Sequence, residues 1–177
     1  ANMVLSSTDV LLLLQRGYVD VGFMGGAQID QYGNLNSSFI GDADEPKIRL
    51  PGTGGGNDIA SLTRLIVAMI HEKRRFVRSV DFVTSTGFWR GGTSRAEAGL
   101  PTGGPGKVVT DLAILDFDHT TKRMKVEALH AGVSAEQVRE NTTFELLFDT
   151  NVETTEPPTD DELAVLREFD PDRLYIA

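Results

Sequence analysis

In Leu50-Pro51-Gly52-Thr53-Gly54-Gly55-Gly56-Asn57-Asp58-Ile59-Ala60-Ser61, four glycines fall within the five positions 52–56. The backbone there carries almost no side chains. Polar residues able to cap a helix follow, and Ile59, Leu62, Leu65, Ile66, Met69 and Ile70 then recur at helical spacing. The pattern reads as a bare loop running into an amphipathic helix from about Asp58 to Arg75. Free N–H groups beside a helix start suit negative charge, either a bound anion or an oxyanion formed during a reaction. The same composition also suits a flexible loop with a tight turn. The spacing is neither the dinucleotide fingerprint Gly-x-Gly-x-x-Gly nor a P-loop, since no Gly-Lys-Ser/Thr follows.

Upstream of this stretch, Ser6-Ser7-Thr8-Asp9 offers helix caps, Val10 to Gln15 follows, and Gly17 can end the turn. This short helix is nearly all apolar and is expected to be buried. Val19 to Met24 reads as a strand. Gly25 and Gly26 then lie at a strand end, where open α/β sheets bind ligands. Tyr32-Gly33-Asn34 is a turn signal, and Ile29 and Leu35 can pair across it in a hairpin. Gln28 and Asn36 either face a ligand or cap the turn. Gly41-Asp42-Ala43-Asp44-Glu45-Pro46 is an acidic loop without the ligand spacing of a calcium loop, so a solvated turn is expected. Lys47 to Leu50 leads from it as a short strand.

Downstream, His71-Glu72-Lys73-Arg74-Arg75 is explained by the dipole at a helix C-terminus, with docking of a phosphate-rich ligand as the functional alternative. Phe76 to Thr84 is β-rich and predicts a central strand. From Gly87 to Gly106 runs a long loop with seven glycines, two prolines and the sole tryptophan, Trp89, which suggests a binding or interface loop. Ser85 follows a strand signal, but no Gly-x-Ser-x-Gly elbow surrounds it, so it is not read as a nucleophile. Lys107 to Phe117 and Met124 to His130 form a hairpin about Asp118–Lys122. Ser134 with Gln137, and Thr159 with Glu162, are capping boxes that open helices ending near Asn141 and Phe169. Thr143 to Phe148 reads as a further strand.

A length of 177 residues with 40% hydrophobic content suits a single domain with a real core. The net charge of −9 argues against binding along a nucleic-acid backbone, although a local basic patch for an anion is compatible with it. With no cysteine there are no disulfides, thiol nucleophiles or thiolate metal sites. The longest aliphatic run, Val10 to Leu14, is far too short to span a bilayer. Ala1 to Ser7 lacks a basic start and a cleavage pattern, so a cytoplasmic location is the expectation. His71, His119 and His130 are scattered. Neither a Ser/His/Asp set nor a metal pattern can be assembled from them, and no metal is expected.

Several long stretches resemble the β subunit of the family I coenzyme A transferases, most closely the glutaconate type. They are Val21 to Asn36, Ile40-Gly41-Asp42, Pro46-Lys47-Ile48-Arg49 and Gly52-Thr53-Gly54-Gly55-Gly56-Asn57. His71-Glu72-Lys73-Arg74-Arg75-Phe76, Asp81-Phe82-Val83-Thr84-Ser85, Val109-Thr110-Asp111 and Asn141-Thr142-Thr143-Phe144 are similar too, and the likeness extends to Ile176. The resemblance implies an open α/β domain with a mostly parallel sheet and flanking helices, related to the sugar-phosphate isomerases. It implies a homologous α subunit as partner, often in an α2β2 assembly, with no partner membrane or nucleic acid. It also implies chemistry. A glutamate carboxylate attacks an acyl-CoA thioester, and the resulting glutamyl-CoA thioester passes coenzyme A to a dicarboxylic or keto acid. Coenzyme A is then a substrate, and no cofactor is required. On this resemblance the amides of Gly54, Gly55 and Gly56 are the oxyanion donors, and Gln28 and Asn57 contact the substrate or coenzyme A.

One departure bears on the chemistry. The family's glutamate belongs to an N-terminal Glu-Ser/Asn-Gly motif, and this sequence contains no such motif. Glu45, Glu72 and Glu97 stand at the wrong places to replace it. The expectation is a single β-type domain over residues 1–177 that lacks the family's N-terminal portion, with an open edge or an uncovered apolar face where that portion packs. Two other readings stand beside the transferase. One is a β-like subunit of a hydrolase that opens rings on acyl-CoA thioesters, with the acting glutamate on its partner. The other is a non-catalytic structural subunit.

Overall fold

The structure, a computed structural model, describes residues 3–100 and 103–174. Pro101 in the long loop and Ile176 at the end of the resemblance lie outside the described residues. The elements follow in order: α1 (Ser7–Gln15), β1 (Val21–Met24), β2 (Gln28–Ile29), β3 (Leu35–Asn36), β4 (Phe39–Gly41), β5 (Pro46–Arg49), α2 (Gly56–Leu62), β6 (Arg64–Ala68), α3 (Ser94–Glu97), β7 (Gly104–Val109), β8 (Ala113–Phe117), β9 (Met124–Leu129), α4 (Ala135–Glu140), β10 (Leu147–Thr154) and α5 (Asp160–Phe169).

Six strands form one sheet in the order β1-β6-β7-β8-β9-β10. The pairings β1 with β6, β6 with β7 and β9 with β10 are parallel, and β8 runs antiparallel to both its neighbours. The fold is thus α/β with a mostly parallel sheet. Two small hairpins lie outside it. One pairs Ile29 with Leu35 and Gln28 with Asn36, as the Tyr32-Gly33-Asn34 turn predicts. The other pairs Phe39 with Arg49, around the acidic turn. Burial along β8 and β9 alternates with period two, placing Leu115, Phe117, Met124 and Val126 inside. These residues pack with Leu65, Val67, Val108, Phe76 and Val138 into one core. Each such side chain contributes about 1.5–3 kcal/mol by leaving water.

Several local expectations give way to tertiary context. The helix expected over residues 58–75 stops at Leu62, and Arg64–Ala68 is the strand between β1 and β7. Leu65 and Val67 satisfy a period of two as well as the helical one, and the extended Thr63 (φ −124°) makes the switch. His71–Arg75 therefore does not sit at a helix end. Instead Glu72 pairs with Arg74 at 2.6 Å and Arg75 at 3.2 Å, and Arg75 also donates to the Gly26 carbonyl. Phe76–Thr84 is not a central strand. Phe76 makes only an isolated bridge to Ile29, and the segment beyond it is irregular. Helix α1 is not buried: only Leu14 is, while Val10 and Leu12 are exposed. The strand expected over 143–148 begins only at Leu147. Strand β1 lies at the sheet edge, where Phe23 is 70% exposed.

The two capping boxes form as read, Ser134 with Gln137 and Thr159 with Glu162. The stretch 107–117 divides into β7 and β8 because the Thr110 hydroxyl accepts the Leu112 and Ala113 amides, turning the chain.

Candidate active site

Three segments converge beyond the C-terminal end of β1: the glycine loop 52–56, the start of α2, and Ser85-Thr86. Helix α2 approaches the sheet closely because Gly22 has no side chain. A Cβ there would stand 2.6 Å from Thr63 Oγ1 and closer still to Ile59 Cγ2. That contact sets the height of the glycine loop above β1.

Gly52 (φ +91°) and Gly54 (φ +53°) are both left-handed, a conformation that glycine adopts without strain. Thr53 organises the loop from within. Its carbonyl accepts the Gly56 amide at 2.7 Å, and its hydroxyl accepts the Asn57 amide at 3.1 Å. The amide of Gly56 is therefore already used. Among the described residues, no group accepts the amides of Gly54 and Gly55. Open space surrounds Gly54, where a Cβ would meet nothing within 4 Å. Gly55 rests against Leu11 of α1. Two adjacent amides without a protein acceptor, at an exposed turn leading into a helix, are able to hold an oxyanion.

Asn57 is exposed at this mouth, and its Oδ1 lies 3.5 Å from the Thr86 amide. Gln28 is not at the mouth. It is 5% exposed, and its amide is bound at both ends. Nε2 donates to Asp81 at 3.2 Å, while Oε1 accepts from Asn36 at 2.8 Å and from the Asp81 amide at 3.0 Å. Asp81 in turn accepts the Gly41 amide at 2.8 Å. This polar cluster ties the two hairpins to the irregular segment after Phe76. The structure thus brings Gly54, Gly55, Gly56 and Asn57 together and engages Gln28 with Asn36 and Asp81 instead.

Sequence reasoning gave no site role to two hydroxyl residues here. Thr53 is the internal cap of the loop. Ser85 lies behind Gly56, is 1% exposed, and has an Oγ with no hydrogen-bond partner among the described residues. The signal for Thr53 was its place among glycines ahead of a helix. Ser85 gave none, because its proximity to Gly56 arises from pairing with Leu35. Trp89 stands in a left-handed conformation (φ +58°), held by Asn34, whose Nδ2 donates to the Trp89 carbonyl at 2.8 Å. Among the described residues, no cluster of three or more His, Asp or Glu could hold a metal, and no helix is long and apolar enough to cross a membrane.

His71 follows β6 and is 3% exposed. Its ring stacks on Phe76 at 3.8 Å and contacts the hydroxyls of Thr110 (3.2 Å) and Thr142 (2.9 Å). Burial lowers its pKa to about 4 against the partial compensation of Asp111. The folded state therefore favours the neutral ring. Stability is fully present above the unfolded pKa of 6.5 and is lost as pH falls towards 4. The full loss is about 3 kcal/mol, at roughly 1.4 kcal/mol per pH unit. Urea titrations at pH 7 and pH 5 are expected to differ by about 2 kcal/mol more for the wild type than for His71→Gln.

Comparison with known proteins gives concordant matches. The family model described as coenzyme A transferase matches residues 1–141. The β subunit of 3-oxoadipate CoA-transferase from Pseudomonas knackmussii is 43% identical over 155 residues, covering 87% of this chain and 60% of the relative. The β subunit of glutaconate CoA-transferase from Acidaminococcus fermentans is 46% identical over 157 residues, covering 88% and 59%. The chain thus spans about 60% of the length of these two relatives. The crystal structure of the Acidaminococcus glutaconate coenzyme A-transferase superposes with a TM-score of 0.91 at 40% identity, over 99% of this chain and 70% of that one.

Proposed function

Because the chain belongs to the coenzyme A transferase family, we propose that it works as the β-type subunit of a CoA-transferase, moving coenzyme A from an acyl-CoA to a dicarboxylic or keto acid. The observation that carries this reading is the pair of Gly54 and Gly55 amides without an acceptor among the described residues, at the open mouth of the loop. In this reading a glutamate carboxylate adds to the thioester carbonyl and expels the coenzyme A thiolate, leaving a mixed anhydride. The thiolate then attacks the glutamyl carbonyl, giving the glutamyl thioester and the free acid of the donor. The acceptor acid repeats the two steps in reverse. Each step passes through a tetrahedral oxyanion, and amides held at that position lower its energy.

The attacking glutamate has no counterpart among residues 1–177, so the reading assigns it to the complete enzyme outside this sequence. The partner in this reading is a homologous α subunit, in an α2β2 assembly in the cytoplasm. The thioester is a substrate, so the scheme calls for no resident cofactor. Asn57 contributes a polar contact at the mouth. Incubating the complete enzyme with acyl-CoA and reducing it with borohydride is expected to convert one glutamate to the alcohol, located by peptide mass mapping. Hydrolytic opening of a cyclic acyl-CoA with its thioester intact, and with no modified glutamate, would instead indicate the ring-opening hydrolase.

A further inference from the structure

The least expected polar atom in the molecule is Ser85 Oγ. Backbone bonds fix the residue on both sides: its carbonyl accepts the Leu35 amide at 2.9 Å, and its amide donates to the Leu35 carbonyl at 3.1 Å. The residue is 1% exposed, so the hydroxyl is shielded from bulk water. A buried hydroxyl with no partner is costly and is not retained for packing alone, because alanine fills the same position without that cost.

The surroundings of this hydroxyl point to a partner. The position that a Gly56 Cβ would occupy lies 3.1 Å from Ser85 Oγ and 3.6 Å from Thr53 Oγ1. Both hydroxyls, and the Met24 methyl at 2.7 Å, thus border the space that a Gly56 side chain would fill. Thr53 Oγ1 accepts the Asn57 amide and retains a second lone pair. Methionine is unbranched and yields readily.

We infer that Ser85 is a positioning residue for the glycine loop: as an oxyanion forms against Gly54 and Gly55, the loop settles and the Ser85 hydroxyl donates to Thr53 Oγ1. This bond then locks the residue on which the Gly56 and Asn57 amides both hang, and so holds the two free amides on the oxyanion. The bond forms only with the oxyanion, so its contribution goes to turnover and not to substrate binding or resting stability. The inference rests on the transferase reading and assigns Ser85 no contact with substrate.

The test uses the complete two-subunit enzyme. Ser85→Ala is expected to lower kcat by about tenfold, the worth of one hydrogen bond, with KM for acyl-CoA nearly unchanged and Tm equal or higher. Thr53→Val removes the acceptor, so the double variant is expected to turn over no more slowly than Thr53→Val alone. A Ser85→Ala enzyme with wild-type kcat overturns the inference alone, as does one whose kcat and Tm fall together, since the hydroxyl would then be a structural bond. A wild-type complex that transfers no coenzyme A overturns the transferase reading and this inference with it.

Discussion

Gly54→Val in the complete enzyme is expected to lower acyl transfer by about 10²- to 10³-fold, the cost of one lost oxyanion donor. Gly54 is left-handed at φ +53°, where a β-branched residue is strongly disfavoured. Valine relieves that strain by rotating the peptide, and the Gly55 amide turns with it. No atom stands within 4 Å of the new Cβ position, so the stability cost is confined to strain of about 1–3 kcal/mol. A cooperative unfolding transition close to that of the wild type would accompany the lost activity. The loss should fall on kcat more than on KM, because the donors hold the oxyanion more strongly than the bound thioester carbonyl. Steady-state kinetics beside a urea titration separates the two effects. Activity within a few-fold of wild type would remove the loop from the reaction.

Gly87→Ala is the largest stability effect expected in the chain, about 4 kcal/mol or more. A Cβ on Gly87 would stand 2.5 Å from the Tyr32 carbonyl oxygen and closer still to the carbonyl of Gly33. All of these are backbone atoms, so no rotamer change relieves the overlap. The two strands of chain are also held together at this point. The Gly87 amide donates to Asn34 Oδ1 at 2.9 Å, and the Phe88 amide donates to the Tyr32 carbonyl at 2.8 Å. The buried Arg95 donates to the carbonyls of Thr86 and Gly87 at 2.9 and 2.6 Å. Any displacement breaks several of these bonds together. Gly25→Ala is the comparison, with its Cβ 3.3 Å from the Ala68 carbonyl, and it should cost well under half as much. Urea midpoints of the two variants check the contrast.

What the sequence disclosed about the fold divides along a physical line. Local codes were readable. The turn at Tyr32-Gly33-Asn34 sets the register of Ile29 against Leu35, and both capping boxes form as their spacing requires. Residues whose state depends on distant partners were not. Leu65 and Val67 suit a helix or a strand equally, and only the presence of β1 and β7 on either side settles the matter. Phe76 has strand propensity but spends it in the core against His71. The apolar run of α1 predicts burial, yet the helix meets little beyond α2, with Leu11 against Gly55.

The site divides in the same way. The bareness of Gly54–Gly56 was visible, whereas the internal use of the Gly56 amide by Thr53 was not, since it depends on the loop's actual turn. Gln28 offered a polar group at a strand end, and its engagement with Asp81 spans 53 positions that no local pattern reports. Ser85 reaches Gly56 through a bridge to Leu35, a pairing 50 residues apart in sequence and equally silent there.

The most direct measurement is a crystal structure of the complete two-subunit enzyme trapped as its glutamyl-CoA thioester. The prediction is a thioester carbonyl oxygen about 2.7–3.1 Å from the Gly54 or Gly55 amide nitrogen, with the loop still in its left-handed turn. A thioester whose carbonyl is held by other donors, with both amides facing solvent beyond about 3.5 Å, would contradict the assignment of this loop as the oxyanion site.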